Sequence, residues 1–287
     1  MNGEAPWHQT HWDWHVALNF ITGGAGSGLL VVAGLAALGG APLALPALVA
    51  VLLAGAGLAQ VSLHLGRPLR AFNVLRNPNS SWMTREAMVA GPMLLAGLLA
   101  TGFDAWPLGL LAAVPAALFL WCQARMLEAS KGIPAWRDRS IVPLITLSGL
   151  AEGCGLYLLL LVLVGAPAVP AGLLLVALVA GRLVTWRRYQ RALQGAAPKA
   201  ALQALARAEG AVLGLGHVAP LLLAVTGLYV GAARAELLGL AGLLAAAGGG
   251  WMKYVIVLRA GYNQGFAIEH SPARGASAGA PGHRPGW

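Results

Sequence analysis

The chain has 287 residues, 58% of them hydrophobic and 10% charged, with a mean hydropathy of +0.69. Soluble proteins carry about 25% charged residues, so this composition excludes a soluble catalytic domain. One membrane crossing needs about 20 apolar residues, which leaves room for eight spans and little else.

The N-terminus, MNGEAPWHQTHWDWH, has no basic n-region, and the apolar run behind it is too long for the core of a cleavable signal. A retained helix is expected over 14–38, with His15 and Asn19 near its start, placed to line one cavity. The run GGAGSG at 23–28 superficially resembles a phosphate loop. It follows no strand, however, and Gly24 and Gly28 suit close helix packing better.

A second span is expected over 42–65. The connection that follows is densely ionisable: HLGRPLRAFNVLRNPNSSWMTRE at 64–86 holds one histidine, four arginines and one glutamate. Further spans are expected over 86–103, 106–128, 140–165, 167–186, 210–232 and 236–258. The linkers 66–85, 129–139 and 187–209 then share one end with both termini. The other end has tight turns such as GGAP (39–42) and GAP (165–167).

Charge follows the same division. Of the 19 Lys and Arg, 18 lie on or near the linker end, and Arg234 is the exception. Arg182 and Lys253 fall inside spans, close enough to that end for their stems to reach outward. Short loops rich in Lys and Arg stay in the cytoplasm, so both termini and the long linkers are expected there. The net charge of +9 is therefore a topology signal. The basic residues are scattered over several short linkers, so no nucleic-acid partner is expected. Trp12, Trp14, Trp82, Trp136 and Trp186 near one interface, and Trp106 near the other, read as aromatic belts. The expected organisation is an eight-helix all-α membrane domain over 1–266 and a flexible cytoplasmic tail over 267–287, rich in Gly, Pro and Ala. LRAFN (69–73) and LRAGYNQGF (258–266) agree at too few positions to establish a repeat.

Few polar residues call for a special account. The two cysteines, Cys122 and Cys154, are too few for an iron–sulfur cluster and read as small packing residues. There is no CxxCH for covalent haem, and no metal is expected in this chain. His217 would need a facing axial ligand, and the candidates His15 and His64 are interfacial. It reads instead as a buried, hydrogen-bonded histidine. Glu152 falls halfway along the fifth span. It is either a hydrogen-bonded structural carboxyl or a proton-path group. His64 closes the second span and Glu86 opens the third. Singly, one is a helix-end histidine and the other a first-turn carboxylate beside an N-cap at Ser81 or Thr84. Together with Arg67, Arg70, Arg76 and Arg85 they would suit quinone chemistry, which exchanges two electrons and two protons.

At 64–86 the sequence resembles the membrane anchors of the dimethyl sulfoxide reductase type, within the polysulfide reductase membrane-subunit group. The resemblance rests on His-Leu-Gly, Pro-Leu-Arg-Ala-Phe-Asn and Ser-Trp with Arg-Glu, and it continues at QARMLEASKGIPAWRDRSIVPL (123–144). It implies an anchor in the bacterial inner membrane and two partners: a molybdopterin catalytic subunit and a four-cluster iron–sulfur subunit. It also implies a bound quinone, ubiquinone or menaquinone, with His64 and Glu86 as the quinone-linked pair. Arg70, Asn19 and His15 are further candidates for quinone contact; Arg67, Arg76, Arg125, Lys131, Arg137 and Arg139 are candidates for partner docking. The stretch 253–275 departs from the reductase anchors and is similar to those of cytoplasm-facing sulfite-oxidising complexes. This makes a sulfite:quinone oxidoreductase anchor the expectation. Alternatives are a phenylacetyl-CoA:quinone oxidoreductase anchor, a quinol-oxidising reductase anchor, a purely structural anchor and a transporter.

Overall fold

The computed structural model describes residues 6–64, 73–166 and 168–265, without the side chains of Leu63 and His64. Among these residues, eight helices are long and apolar enough to cross a membrane. They cover Trp14–Gly39, Ala44–Ser62, Trp82–Phe103, Trp106–Ala129, Ile141–Leu163, Val169–Leu193, Lys199–Tyr229 and Gly231–Arg259, called spans 1 to 8 below. The all-α membrane fold expected from composition is the one observed.

Spans 1 to 4 close a ring in which each packs on the next and span 4 returns to span 1; spans 5 to 8 repeat that cyclic order. Span 1 against span 5 forms the main seam between the rings. Small residues make that seam possible. A Cβ on Gly28 would stand 1.9 Å from the Gly149 carbonyl oxygen, and one on Gly153 would stand 2.1 Å from the Gly28 carbonyl carbon. Without a hydrophobic drive inside lipid, such close backbone approach supplies the dispersion contact that holds helices together. Gly24 takes part in the same approach, its carbonyl oxygen 3.1 Å from the position of a Cβ on Gly149. Its missing side chain also leaves room for Lys253, whose Nζ is 2.4 Å from the position a Cβ would take.

At the linker end the two extremities of the described chain meet. Gln9 N donates to Gly261 O at 2.8 Å, and Asn263 N to Trp7 O at 3.1 Å. Trp12 stacks on Trp136 with ring centroids 4.7 Å apart, and Trp136 Nε1 donates to Ile256 O at 2.9 Å.

Several expectations need correction. The stretch 187–209 is mostly helix: span 6 continues to Leu193 and span 7 begins at Lys199. Polarity alone made it look like a linker, but Ala201, Leu205, Ala208 and Val212 recur at helical spacing and are buried. Across the turn, Arg187 Nη1 pairs with Glu209 at 2.7 Å. Trp136 and Trp186 do not belong to an interfacial belt; they are buried in the bundle core at the linker end. Span 3 begins at Trp82, four residues before the expected start.

Three spans contain a π-helical turn, at Asn19–Gly23, Gly214–Val218 and Val255–Arg259. A π turn displaces the i→i−4 ladder and leaves carbonyls in need of donors. In a membrane those donors must come from the protein, and here they come from other spans and linkers.

Candidate functional site

Ser81 caps span 3, its side chain accepting from Thr84 N at 3.2 Å. Glu86 therefore lies beyond the first turn, and the helix-start explanation for its carboxylate does not apply. It is buried, with 5% exposure, and accepts from Asn19 Nδ2 at 3.4 Å. Asn19 belongs to the π turn of span 1. From span 4, the Gln123 amide faces the same carboxyl, and its Nε2 donates to Asn19 O at 3.1 Å. Three spans thus bring one carboxyl and two amides together.

Two acceptors in this cluster, Asn19 Oδ1 and Gln123 Oε1, are buried and have no hydrogen-bond partner. Each such orphan costs about 1–3 kcal/mol, so both suit a ligand that donates hydrogen bonds. Glycine keeps the space beside them open. A Cβ on Gly57 would fall 2.9 Å from Asn19 Oδ1 and 2.7 Å from Thr22 Oγ1. Span 2, which carries Gly57 and ends in the helix Ala44–His64, packs on spans 1 and 3. The His64 side chain, Arg67 and Arg70 lie outside the described residues. His15 Nδ1 pairs with Asp13 Oδ2 at 2.9 Å, and its ring stacks on Trp14.

A second polar group continues the first toward the bundle centre. One point beside Gly24 lies 3.3 Å from Gln123 Oε1 and 2.4 Å from Lys253 Nζ. Lys253 Nζ donates to Glu152 Oε2 at 2.7 Å and to Phe20 O, in the same π turn, at 2.9 Å. Ser148 Oγ donates to Glu152 Oε1 at 2.8 Å. Arg182 Nη1 and Glu152 Oε1 each lie 2.5 Å from the position of a Cβ on Gly249. Arg182 also donates to Ala245 O at 2.9 Å and to Gly216 O in the second π turn, while its Nε faces His217 Nε2 at 3.3 Å. His217 Nδ1 is 2.7 Å from Val212 O, so both ring nitrogens are engaged, as expected of a buried, hydrogen-bonded histidine.

Lys253 and Arg182 are 0% exposed and do not reach outward, contrary to the expectation of stems extending to the interface. Counting residues from a span's end gives depth but not azimuth, and both side chains are on the inward face. Glu152 is 1% exposed and ion-paired, which is structural work whatever else it does.

The basic candidates divide. Arg76 and Arg139 are exposed. Arg137 Nη1 donates to Lys131 O at 3.1 Å. Arg85 donates to Pro78 O and Asn79 O at 2.8 and 2.9 Å and lies over the Trp82 ring. Arg125 pairs with Glu128 and also covers Trp82, 4.9 Å from its centroid. Cys122 and Cys154 are buried free thiols, and no group of three potential metal ligands occurs among the described residues.

Sequence reasoning singled out Glu86 and Asn19 and missed Gln123. Its signal was an amide six residues from the end of an apolar span, a depth at which a polar side chain needs partners. Compared with known families, residues 8–186 match the model of the DMSO reductase anchor subunit (DmsC). A comparison with curated proteins finds no match.

Proposed function

The chain belongs to the DMSO reductase anchor subunit family, and from that footing we propose that it is the quinone-reactive membrane subunit of a molybdopterin and iron–sulfur oxidoreductase. Membership implies a multi-pass membrane protein with catalytic and iron–sulfur partner subunits. The finer assignment is an exchange of electrons between the iron–sulfur partner and a quinone, ubiquinone or menaquinone, held at the linker end of spans 1 to 4.

The observation that carries the reading is the pair of orphaned acceptors, Asn19 Oδ1 and Gln123 Oε1, beside the buried carboxyl of Glu86. The hydroxyls of a reduced quinone are donors of the kind these acceptors need. A bound quinone supplies two-electron, two-proton chemistry there. The chain's own residues do the rest. Glu86 takes or gives the proton at its carboxyl oxygens. Asn19 Nδ2 fixes that carboxyl, and Gln123 ties the Asn19 backbone in place. In this reading His64, at the end of span 2, hydrogen-bonds a quinone carbonyl, and Arg70 adds positive charge nearby. Glu152 becomes the inner end of a proton path that begins at Glu86 and passes Gln123 and Lys253. Arg67, Arg76 and Arg137 belong to the face that receives the partner; Arg125 and Arg139 face a cavity taken up below.

For direction and substrate, the reading is oxidation of sulfite by a cytoplasmic catalytic partner, with electrons passing to quinone. What supports it is the basic linker end and the character of 253–275. A quinol-oxidising anchor would use the same site in reverse.

The test uses the purified complex carrying Glu86→Gln or Asn19→Ala, assayed with sulfite against both a quinone and an artificial dye. Loss of a positioned acid–base group slows proton transfer by about 100-fold or more, so quinone reduction should collapse while dye reduction and assembly persist. Quinone reduction at the wild-type rate in Glu86→Gln would remove the site assignment.

A further inference from the structure

Between the linker ends of spans 4 and 5, with Trp82 at the start of span 3, lies a cavity of about 970 Å³. Asn19, Glu86 and Gln123 are not among its lining residues, and it plays no part in the proposed quinone chemistry. Its upper rim carries Arg125, Lys131 and Arg139, and its acidic member is Glu128. Since Glu128 pairs with Arg125, the charges of Lys131 and Arg139 are left over in the cavity.

Two further observations say what those charges are for. Arg125 Nε and Thr146 Oγ1 are buried and have no hydrogen-bond partner. Both line this cavity, and both donate. Buried donors without acceptors, beside excess positive charge, call for an anion rich in acceptor oxygens. The position then narrows the class of anion. Lys131 follows the end of span 4 and Arg139 precedes span 5, the depth of lipid headgroups. Thr146 lies five residues into span 5, about 7.5 Å deeper. Below the charges, the walls become apolar: Val142, Pro143 and Leu147 on one side and Trp121 on the other. Trp121 is 45% exposed. The cavity is thus basic at headgroup depth and apolar beneath, and the Trp82 indole, at the first residue of span 3, lies at the boundary, as Trp prefers.

We propose that this cavity binds the phosphodiester headgroup of an anionic phospholipid, with an acyl chain running down past Leu147 and Trp121. Basic pockets between membrane helices at the cytoplasmic side hold multiply charged headgroups by such means. Lys131, Arg139 and Arg125 Nε contact phosphate oxygens, and Thr146 Oγ1 donates to a phosphate or glycerol oxygen. Glu128 does not oppose the lipid, because Arg125 neutralises it. Two uncompensated cations match the two phosphates of a diphosphatidylglycerol better than a single one.

The test uses the whole complex, stripped of lipid by detergent exchange. Bound lipid is counted by native mass spectrometry and the thermal shift is recorded. The probes are diphosphatidylglycerol, phosphatidylglycerol, phosphatidylcholine, a quinone and inorganic phosphate. Diphosphatidylglycerol should bind and raise the melting temperature, whereas phosphatidylcholine and inorganic phosphate should not. The double variant Lys131→Gln/Arg139→Gln should weaken lipid binding at least ten-fold. Its two side chains are exposed, so the fold should survive, and Thr146→Val gives a nearly isosteric second check. Equal binding of phosphatidylcholine, undiminished binding by both variants, equal protection by free phosphate, or displacement of the lipid by quinone would each overturn the proposal. So would release of the partner subunits from the double variant with its lipid still bound, since the charges would then serve docking. Apart from displacement by quinone, none of these results bears on the quinone site, whose dye and quinone assays are separate.

Discussion

Replacing Glu152 should do far more damage than replacing Lys253, although the two form one ion pair. Glu152 faces Lys253 Nζ at 2.7 Å, and its other oxygen shares the space beside Gly249 with Arg182 Nη1. Glu152→Leu therefore strands two buried cations and leaves Ser148 without its acceptor. Removing one partner of a buried pair costs about 3–5 kcal/mol. Lys253→Met leaves Glu152 with Arg182 within reach, so the loss is that of charge-assisted hydrogen bonds, about 1.5–3 kcal/mol. The double variant Glu152→Leu/Lys253→Met should recover part of the single Glu152 loss, because Arg182 keeps the Ala245, Gly216 and His217 contacts. A double-mutant cycle by denaturant titration of the purified complex in detergent measures this directly. A Glu152→Leu variant no less stable than Lys253→Met, or a coupling energy near zero, would refute the reasoning.

Other outcomes follow from the packing and the site. Gly57→Ala would press a methyl against Asn19 Oδ1 and Thr22 Oγ1; the KM for quinone should rise about ten-fold, a loss of about 1.4 kcal/mol, with dye reduction unchanged. Gly153→Ala would drive a methyl into the span 1 backbone at Gly28 and should cost at least the 1–3 kcal/mol typical of overpacking. Gly91→Ala, in helix with open space around it, should instead stabilise by about 0.5–1 kcal/mol, and thermal denaturation compares the two. Ser81→Ala removes the cap of span 3 and should cost about 1 kcal/mol, visible in the same measurement.

Much of this architecture was legible because hydropathy reports depth. Composition and alternating linker lengths located all eight spans, with the largest boundary error where an amphipathic helix leaves the apolar zone at 199–209. Depth also marked Glu152 as anomalous and Glu86 as near an interface. What hydropathy lacks is direction around the helix axis. Lys253, six residues from the end of span 8, reads equally well as reaching outward or inward, and only the placement of span 1 with its Gly24 gap decides. The π turns were invisible for a related reason: no residue type signals them. They become intelligible once Gln123, Lys253, Arg182 and Trp136 are seen donating to the carbonyls they release. Gln123 joined the site through such a carbonyl, that of Asn19.

The meeting of span 1 with span 8 sets a condition on the order of assembly. Synthesis delivers Phe20 early and Lys253 close to last, so the π turn of span 1 enters the membrane before the donor to its Phe20 carbonyl exists. The N-terminal stretch likewise gains its backbone partners, Gly261 and Asn263, only after span 8 has followed. A chain that stopped after span 7 would hold the family's matched region intact and still leave Glu152 without Lys253. Completion of the last span is thus what seals the interior around the first, and truncated chains are left with exposed polar groups by which quality control could recognise them.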